Sequence, residues 1–355
     1  MTGPTLRVGV PAPLLALEPF GGHGKVWHRV LHELRGHAHL IAIDAGGKRT
    51  GRRPHRRPEV VLADGHAELP RTRRPVVAQI HEAGWFEPEL RATLHPAFVA
   101  AIEPVTERSA RAAAQVITPS RTARDELIAR YGLAPGRVHA VPHGVDPTFT
   151  PAAQGGAALV AKTLGGEPRP YVLYAASLHP RKNLAVLREA MAVLAARGHP
   201  HVLAVAGHPA PDGSDVAALE RAARAELPGA PGRIAFLGQP SDLELAALMA
   251  GADVYCLPSL YEGFGITVLE AMACGTAVVV SDRGSLPEVV ADAGVVVAPD
   301  VAPLTAALES LLLDPQRRRG LGEAAARRAS DFSWTRCAEG WLEVLRHARD
   351  LDLPR

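Results

Sequence analysis

PSLYEGFGITVLEAMACG, residues 258–275, decides how this chain is read. It follows a short apolar run, VYCLP, that reads as a buried strand, and it ends in VLEAMAC, a helix-forming run. Between them Gly263, Phe264 and Gly265 make a glycine-bracketed turn. A strand that passes through such a turn into a helix is where α/β proteins hold phosphate-bearing ligands. The helix N-terminus offers unpaired N–H groups and partial positive charge, and glycine lets the backbone come close. Here a carboxylate also stands on each side of the turn, Glu262 before it and Glu270 within the helix. One can take a sugar hydroxyl, the other a vicinal diol such as that of a ribose.

Outward from this segment the chain alternates short apolar strands with longer helical stretches, which predicts parallel sheets covered by helices. In the first half, strands are expected over 6–10, 40–44, 60–62, 76–80, 115–118 and 138–141, and helices over 25–34, 97–113 and 121–131, the last with Ser120 as N-cap. Residues 146–170, rich in Gly, Pro and small side chains, read as an interdomain connection. A second series follows, with strands over 171–175, 202–206, 234–237, 254–257, 277–281 and 295–297. Its helices are expected over 184–196, 216–226, 242–251, 268–274 and 303–313. The tail, SWTRCAEGWLEVLRHA, reads as a last amphipathic helix. The expected division is 1–148, 149–330 and a C-terminal helix within 331–355 that packs back on the first domain. This is an α/β chain of two doubly wound domains with a cleft between them, where ligands usually bind.

With 355 residues, two domains of ordinary size are expected. Hydrophobic residues make up 47 % and charged residues 21 %, which fits a soluble enzyme, and a net charge of +2 excludes a general polyanion binder. Three scattered cysteines, Cys256, Cys274 and Cys337, without a CxxC pair, argue for a reducing cytoplasm and against a zinc site. The N-terminus carries no basic start of a signal peptide, and no run approaches the ~20 apolar residues of a spanning helix. The 46–57 basic loop, GGKRTGRRPHRR, is joined by RTRRP at 71–75. It reads as a solvated surface or as a contact for anionic lipid headgroups. It lacks interleaved aromatics, so nucleic acid is not expected as a partner.

Three further motifs carry chemistry. FGGHGKVWHRVL (20–31) follows the first strand and opens the first helix; Gly21, Gly22 and Gly24 would turn backbone N–H groups towards a phosphate. It is not GxGxxG, which counts against a dehydrogenase. In QIHEAGW (79–85), His81 falls at the C-terminal end of a strand, where an imidazole can bond a sugar hydroxyl. In SLHPRKNLAVLREA (177–190), Arg181 and Lys182 are adjacent cations at a strand-to-helix turn and can neutralise a diphosphate, Arg as a fork and Lys as a point charge. Asp282 and Glu288 read as structural or capping groups.

These motifs together, PSLYEGFGITVLEAMACGTAVVVSDRGSLPEVVADAGVVVAPD above all, resemble the retaining glycosyltransferases of family 4, which have the two-domain GT-B fold. ITPSRTARDELIARYG and RVHAVPHGVDPTFTP resemble the family's N-terminal landmarks, in order. The resemblance implies that Glu262 contacts the transferred sugar and Glu270 holds the ribose diol. It implies that Arg181 and Lys182 bind the diphosphate, with Gly21 and Gly22 near it, and that His81 faces the donor sugar. Gly263, Phe264, Gly265 and Ile266 would approach sugar and phosphates through their amides. The chain departs from the family pattern at His143, Thr267, Glu82 and Ala175 or Ala176. The implied activity is transfer of a hexosyl unit, GDP-mannose or a UDP-hexose being the favoured donors, with no cofactor and no essential metal, as no DxD motif ends a strand. The acceptor would be a saccharide, lipid-linked or natural-product hydroxyl. A GT-B sugar-nucleotide epimerase and a non-catalytic sugar-nucleotide-binding homologue are the competing readings.

Overall fold

The computed structural model describes residues 5–18, 21–48, 57–82, 84–208, 216–227 and 229–351. The basic segment 49–56 lies outside them. Two compact units form: Met1–Ala83, Val99–Gly144 and Phe332–Arg355 make the first, Gly84–Phe98 and Val145–Asp331 the second. Sequence order assigns 84–98 to the first domain, but this segment belongs to the second unit. Its anchor is Gly84, where a β-carbon would lie 2.5 Å from Tyr261 Cδ1.

The first unit is built on strands β1 (Leu6–Pro11), β2 (Ala38–Ile43), β3 (Val60–Asp64), β4 (Val76–Gln79), β5 (Gln115–Thr118) and β6 (Val138–Ala140). They form one parallel sheet in the order β2-β1-β3-β4-β5-β6. The order reverses between β1 and β3, so the C-terminal ends of these two strands diverge into loops that leave a ligand crevice. The helix Gly21–Leu34 follows β1, and the helix Arg121–Tyr131 follows β5, capped by Ser120 Oγ, which accepts from Ala123 N. The sequence reading starts the first of these at Lys25. In fact the glycines form its first turn, and Gly24 is buried within it.

The helix Trp334–Asp350 also belongs to this unit. Its buried residues Trp334, Cys337, Ala338, Trp341, Leu342, Val344, Leu345 and Ala348 recur at helical spacing and make one apolar face. Trp341 stands edge-on to Trp27 with centroids 5.5 Å apart, both fully buried. A side chain of that size contributes about 4–6 kcal/mol of gross apolar burial. At the helix start the backbone of Ser333 and Trp334 lies directly against Gly144, so that a β-carbon there would collide.

The second unit holds β7 (Tyr171–Ala175), β8 (Val202–Ala206), β9 (Ile234–Gly238), β10 (Val254–Leu257), β11 (Val278–Ser281) and β12 (Val295–Val297). Its sheet is parallel, in the order β12-β11-β10-β7-β8-β9. β7, β8, β10 and β11 are buried along their whole length, as strands covered on both faces must be. The order reverses between β7 and β10.

Two longer helices escape the sequence reading, besides the short Ala12–Leu15, Pro88–Arg91 and Leu286–Val290. Gly156–Leu164 lies inside the stretch read as a connection, bracketed by Gly155 and Gly165, both at positive φ. Pro315–Ala329 lacks an apolar stripe, since its buried residues are the small Gly322, Ala325 and Ala329. Close backbone approach replaces side-chain burial there: a β-carbon on Gly322 would collide with the Gly275 carbonyl.

Candidate active site

In the second unit the chemistry gathers where the strand order reverses. β7 leads through a short 3₁₀ turn, Pro180–Lys182, into the helix Leu184–Ala196. β10 leads through the 258–265 turn into the helix Ile266–Ala273. The two exits are tied by Leu260 N–H donating to the Arg181 carbonyl at 2.8 Å. Lys182 Nζ then donates to Glu262 Oε1 at 2.6 Å, and Ser259 Oγ donates to the same oxygen at 2.7 Å. Arg181 Nη1 lies 3.8 Å from Glu262 Oε2 and donates to the Tyr261 carbonyl at 3.1 Å. The Arg181 N–H is accepted by His179 Nδ1 at 3.0 Å, which puts the ring proton of a neutral His179 on Nε2.

Two cations share one carboxylate, so this cluster keeps a net positive charge. Arg181 and Lys182 expose 20 % and 12 % of their side chains and Glu262 8 %, so an incoming anion meets the cations first. Burial by itself would raise the Glu262 pKa. The Lys182 and Arg181 charges and the hydrogen bonds from Lys182 and Ser259 outweigh it and hold the carboxyl below its usual range.

The backbone around Glu262 is clamped from β11. Ser285 N–H and Oγ both donate to the Glu262 carbonyl, each at 3.0 Å. Gly284, at φ +56°, approaches so closely that any β-carbon would strike the Glu262 backbone. Gly265, at φ +89°, starts the helix without a side-chain cap, so the first-turn N–H groups are not taken up by a capping side chain. Gly263 and Phe264 are buried beside it. Glu270 is buried in the second turn of that helix, and burial together with the Glu270 charge pushes the Cys274 thiol up to about 12. Tyr255 links Ala175 with Thr267: its hydroxyl donates to the Ala175 carbonyl at 2.9 Å and lies 2.8 Å from Thr267 Oγ1.

The first unit builds its strand-end site from imidazoles. His81 follows β4 and packs edge-on to His23 at 4.7 Å between centroids, parallel to His66 at 6.1 Å, and near His143 at 5.7 Å. His143 in turn stacks on Trp334 at 6.0 Å. His23, on the glycine turn, reaches Asp64 Oδ2 at the end of β3 through Nε2 at 3.0 Å. Trp27 Nε1 lies 3.1 Å from the same nitrogen. One nitrogen cannot both donate to Asp64 and accept from Trp27, and the carboxylate is the stronger partner. Burial holds His81 well below the usual histidine range and takes His143 to about 3, with neighbouring imidazoles adding to the effect. Burial would raise the Asp64 pKa, but its hydrogen bond with His23, the nearby histidines and the His66 N–H bring it below the usual value.

Arg181, Lys182 and Glu262 are therefore in mutual contact, with Gly263, Phe264, Gly265, Ile266 and Glu270 on the adjoining turn and helix. Gly21 and Gly22 are exposed in the first turn of their helix, one and two positions ahead of His23. Sequence reasoning passed over His23, His66, Ser259 and Ser285. A signal existed for one of them: His66 stands two residues beyond the end of β3, just as His81 stands two beyond the end of β4. Among the described residues no group of three or more His, Cys, Asp or Glu is arranged to hold a metal ion, and no helix is long and apolar enough to cross a membrane.

Residues 159–328 match the family model described as glycosyl transferases group 1, and residues 52–149 match that of glycosyltransferase family 4. The chain is 38 % identical over 256 residues to an alpha-maltose-1-phosphate synthase of Mycolicibacterium smegmatis, covering 68 % of this chain and 65 % of that protein. It is 32 % identical over 247 residues to an MMP alpha-(1->4)-mannosyltransferase of Mycolicibacterium hassiacum, covering 68 % and 56 %. The matched stretch thus spans less than two thirds of the length of either relative. Anabaena HepE, solved in complex with UDP-glucose, shares the fold with a TM-score of 0.71 at 19 % identity, over 97 % of this chain and 100 % of its own. With these likenesses added to the paired cations and the glutamates of the 258–275 turn, the chain belongs to the group 1, family 4 glycosyltransferases.

Proposed function

We propose that the protein is a retaining hexosyltransferase that uses a nucleotide-diphosphate sugar and needs no divalent metal. The observation that carries this is the Arg181–Lys182–Glu262 cluster at the sheet's switch point, with a net positive charge and an uncapped helix start beside it. In transfer, the bond from the anomeric carbon to the diphosphate oxygen breaks with its electron pair going to phosphate. The acceptor oxygen forms the new bond on the same face, and its proton passes to a donor phosphate oxygen. Arg181 and Lys182 stabilise the growing phosphate charge in place. Glu262 holds Lys182 at 2.6 Å and offers its carboxylate to the sugar hydroxyls. Glu270 takes the ribose diol, and His81 contributes to the transferred sugar.

UDP-glucose is the first donor to test, because a structural relative is solved with it, and GDP-mannose the second, because a sequence relative is a mannosyltransferase. The acceptor is a saccharide, lipid-linked or natural-product hydroxyl, with the basic sequence 46–57 as a contact for an anionic surface. Thermal shift with UDP-, GDP-, ADP- and dTDP-sugars identifies the base, since a ligand that binds the folded state raises its apparent stability. Incubation with donor, candidate acceptors and EDTA then tests transfer, and NMR of the product reads the anomeric configuration. An inverted product, or loss of turnover in EDTA that magnesium restores, sinks the proposal. An isomerised free sugar made from donor alone moves the assignment to an epimerase.

A further inference from the structure

His66 and His81 occupy equal positions after neighbouring strands, but their hydrogen bonds make them unequal. The His81 backbone N–H donates to His66 Nε2 at 3.1 Å. A backbone N–H can only donate, so that nitrogen must be bare, and the proton of a neutral ring sits on Nδ1. His66 Nδ1 lies 3.1 Å from Thr106 Oγ1, which then accepts. Thr106 is fully buried on the helix Pro96–Ala112. A second bond runs the other way between the two strand exits: Gly65 N–H donates to the Gln79 carbonyl at 2.8 Å. A β-carbon on Gly65 would collide with Ile80, so the two turns are locked backbone to backbone. The rings of His66 and His81 lie nearly parallel, at 11°. Beyond this clamp, His81 Nε2 is buried and makes no hydrogen bond among the described residues.

We infer that His66, keyed by Thr106 into a single tautomer, is a positioning residue for His81: it fixes the backbone after β4 and so the direction in which the His81 ring presents its outer nitrogen. The inference rests on the place given to His81 under the proposed function. Burial, the largest influence on His66, favours its neutral form, as the geometry requires. Asp64 Oδ1 accepts the His66 backbone N–H at 2.9 Å and so anchors the same turn.

The test pairs Thr106→Val with Thr106→Ser and reads both kinetics and histidine ring nitrogens by ¹⁵N NMR. Wild type should carry the His66 proton on Nδ1. Thr106→Val should move that proton towards Nε2, speed hydrogen exchange at the His81 amide and lower turnover by about three- to fivefold, no more than loss of the His81 ring itself, with donor KM changed less than about twofold. Thr106→Ser should restore all three. Should Thr106→Val fold poorly, His66→Gln retains an acceptor for the His81 N–H where His66→Leu has none, and only the second should lose turnover and amide protection. A wild-type His66 protonated on Nε2, or an altered tautomer with unaltered turnover, overturns the inference. Absence of sugar transfer in wild type overturns the proposed function instead, and the tautomer and exchange measurements then decide the clamp by themselves.

Discussion

The two strand-end sites solve the same topological problem with opposite electrostatics. Where β7 and β10 part, the second unit assembles two cations and a buried carboxylate that stay ionised because they neutralise one another. Where β3 and β4 end, the first unit assembles His23, His66, His81 and His143, and burial keeps His66, His81 and His143 neutral. A charged ligand needs fixed charge, which a protein can hold only in compensated form. A neutral hydroxyl needs a bare nitrogen or an N–H of defined direction, which a buried imidazole supplies.

The strongest way to break this contrast is Lys182→Ala. It removes the proposed phosphate contact and leaves the buried Glu262 with the Ser259 hydroxyl at 2.7 Å and, as the remaining cation of the cluster, Arg181 at 3.8 Å. Turnover should fall by about 10³-fold. Arg181→Ala should likewise depress kcat more than donor affinity, and a pure binding defect would count against leaving-group stabilisation. Glu270→Ala should cost roughly 2–4 kcal/mol of donor binding, on the order of 100-fold, measured by calorimetry with the nucleotide diphosphate. Unchanged affinity removes its ribose role.

Acid sharpens the contrast. A histidine with a lowered native pKa is protonated in the unfolded chain before it is protonated in the folded one. Stability is therefore intact above pH 6.5 and falls as pH drops towards the native pKa. Each such histidine contributes up to about 1.4 kcal/mol per pH unit in that window. Glu262, with its lowered carboxyl pKa, gives stability that is lost only below its ordinary value of 4.5. Hydrogen exchange between pH 7 and pH 5 should thus show the first unit loosening while the second holds, and equal loosening of both refutes the difference. The smallest effect is expected of His81→Ala, about 5–10-fold in turnover for one lost neutral hydrogen bond.

The same contrast explains what the sequence discloses. The β7, β8, β10, β11 and β12 runs are continuous or nearly continuous apolar stretches, so parallel buried strands are readable without tertiary knowledge. Arg181 beside Lys182, and Glu262 before a GFG turn, announce themselves because charge at a strand end is costly without a purpose. His66 does not announce itself: its value lies in one hydrogen bond to a backbone fifteen residues away and another to a hydroxyl forty residues away. The contact of Glu262 with Lys182 is likewise long-range, across eighty positions. Local pattern fails too where small residues replace an apolar stripe, as in Pro315–Ala329.

The helix Trp334–Asp350 has a consequence for biogenesis. The first unit is discontinuous, and the indole that packs against Trp27 is translated only after the whole second unit. Some two hundred residues separate Gly144 from Trp341, an interval on the order of 10–40 s of synthesis. Through that interval the nascent sheet of the first unit keeps an apolar face open, while the whole second unit can close behind it. Closure of the first unit thus waits on a helix that follows the second unit in the chain.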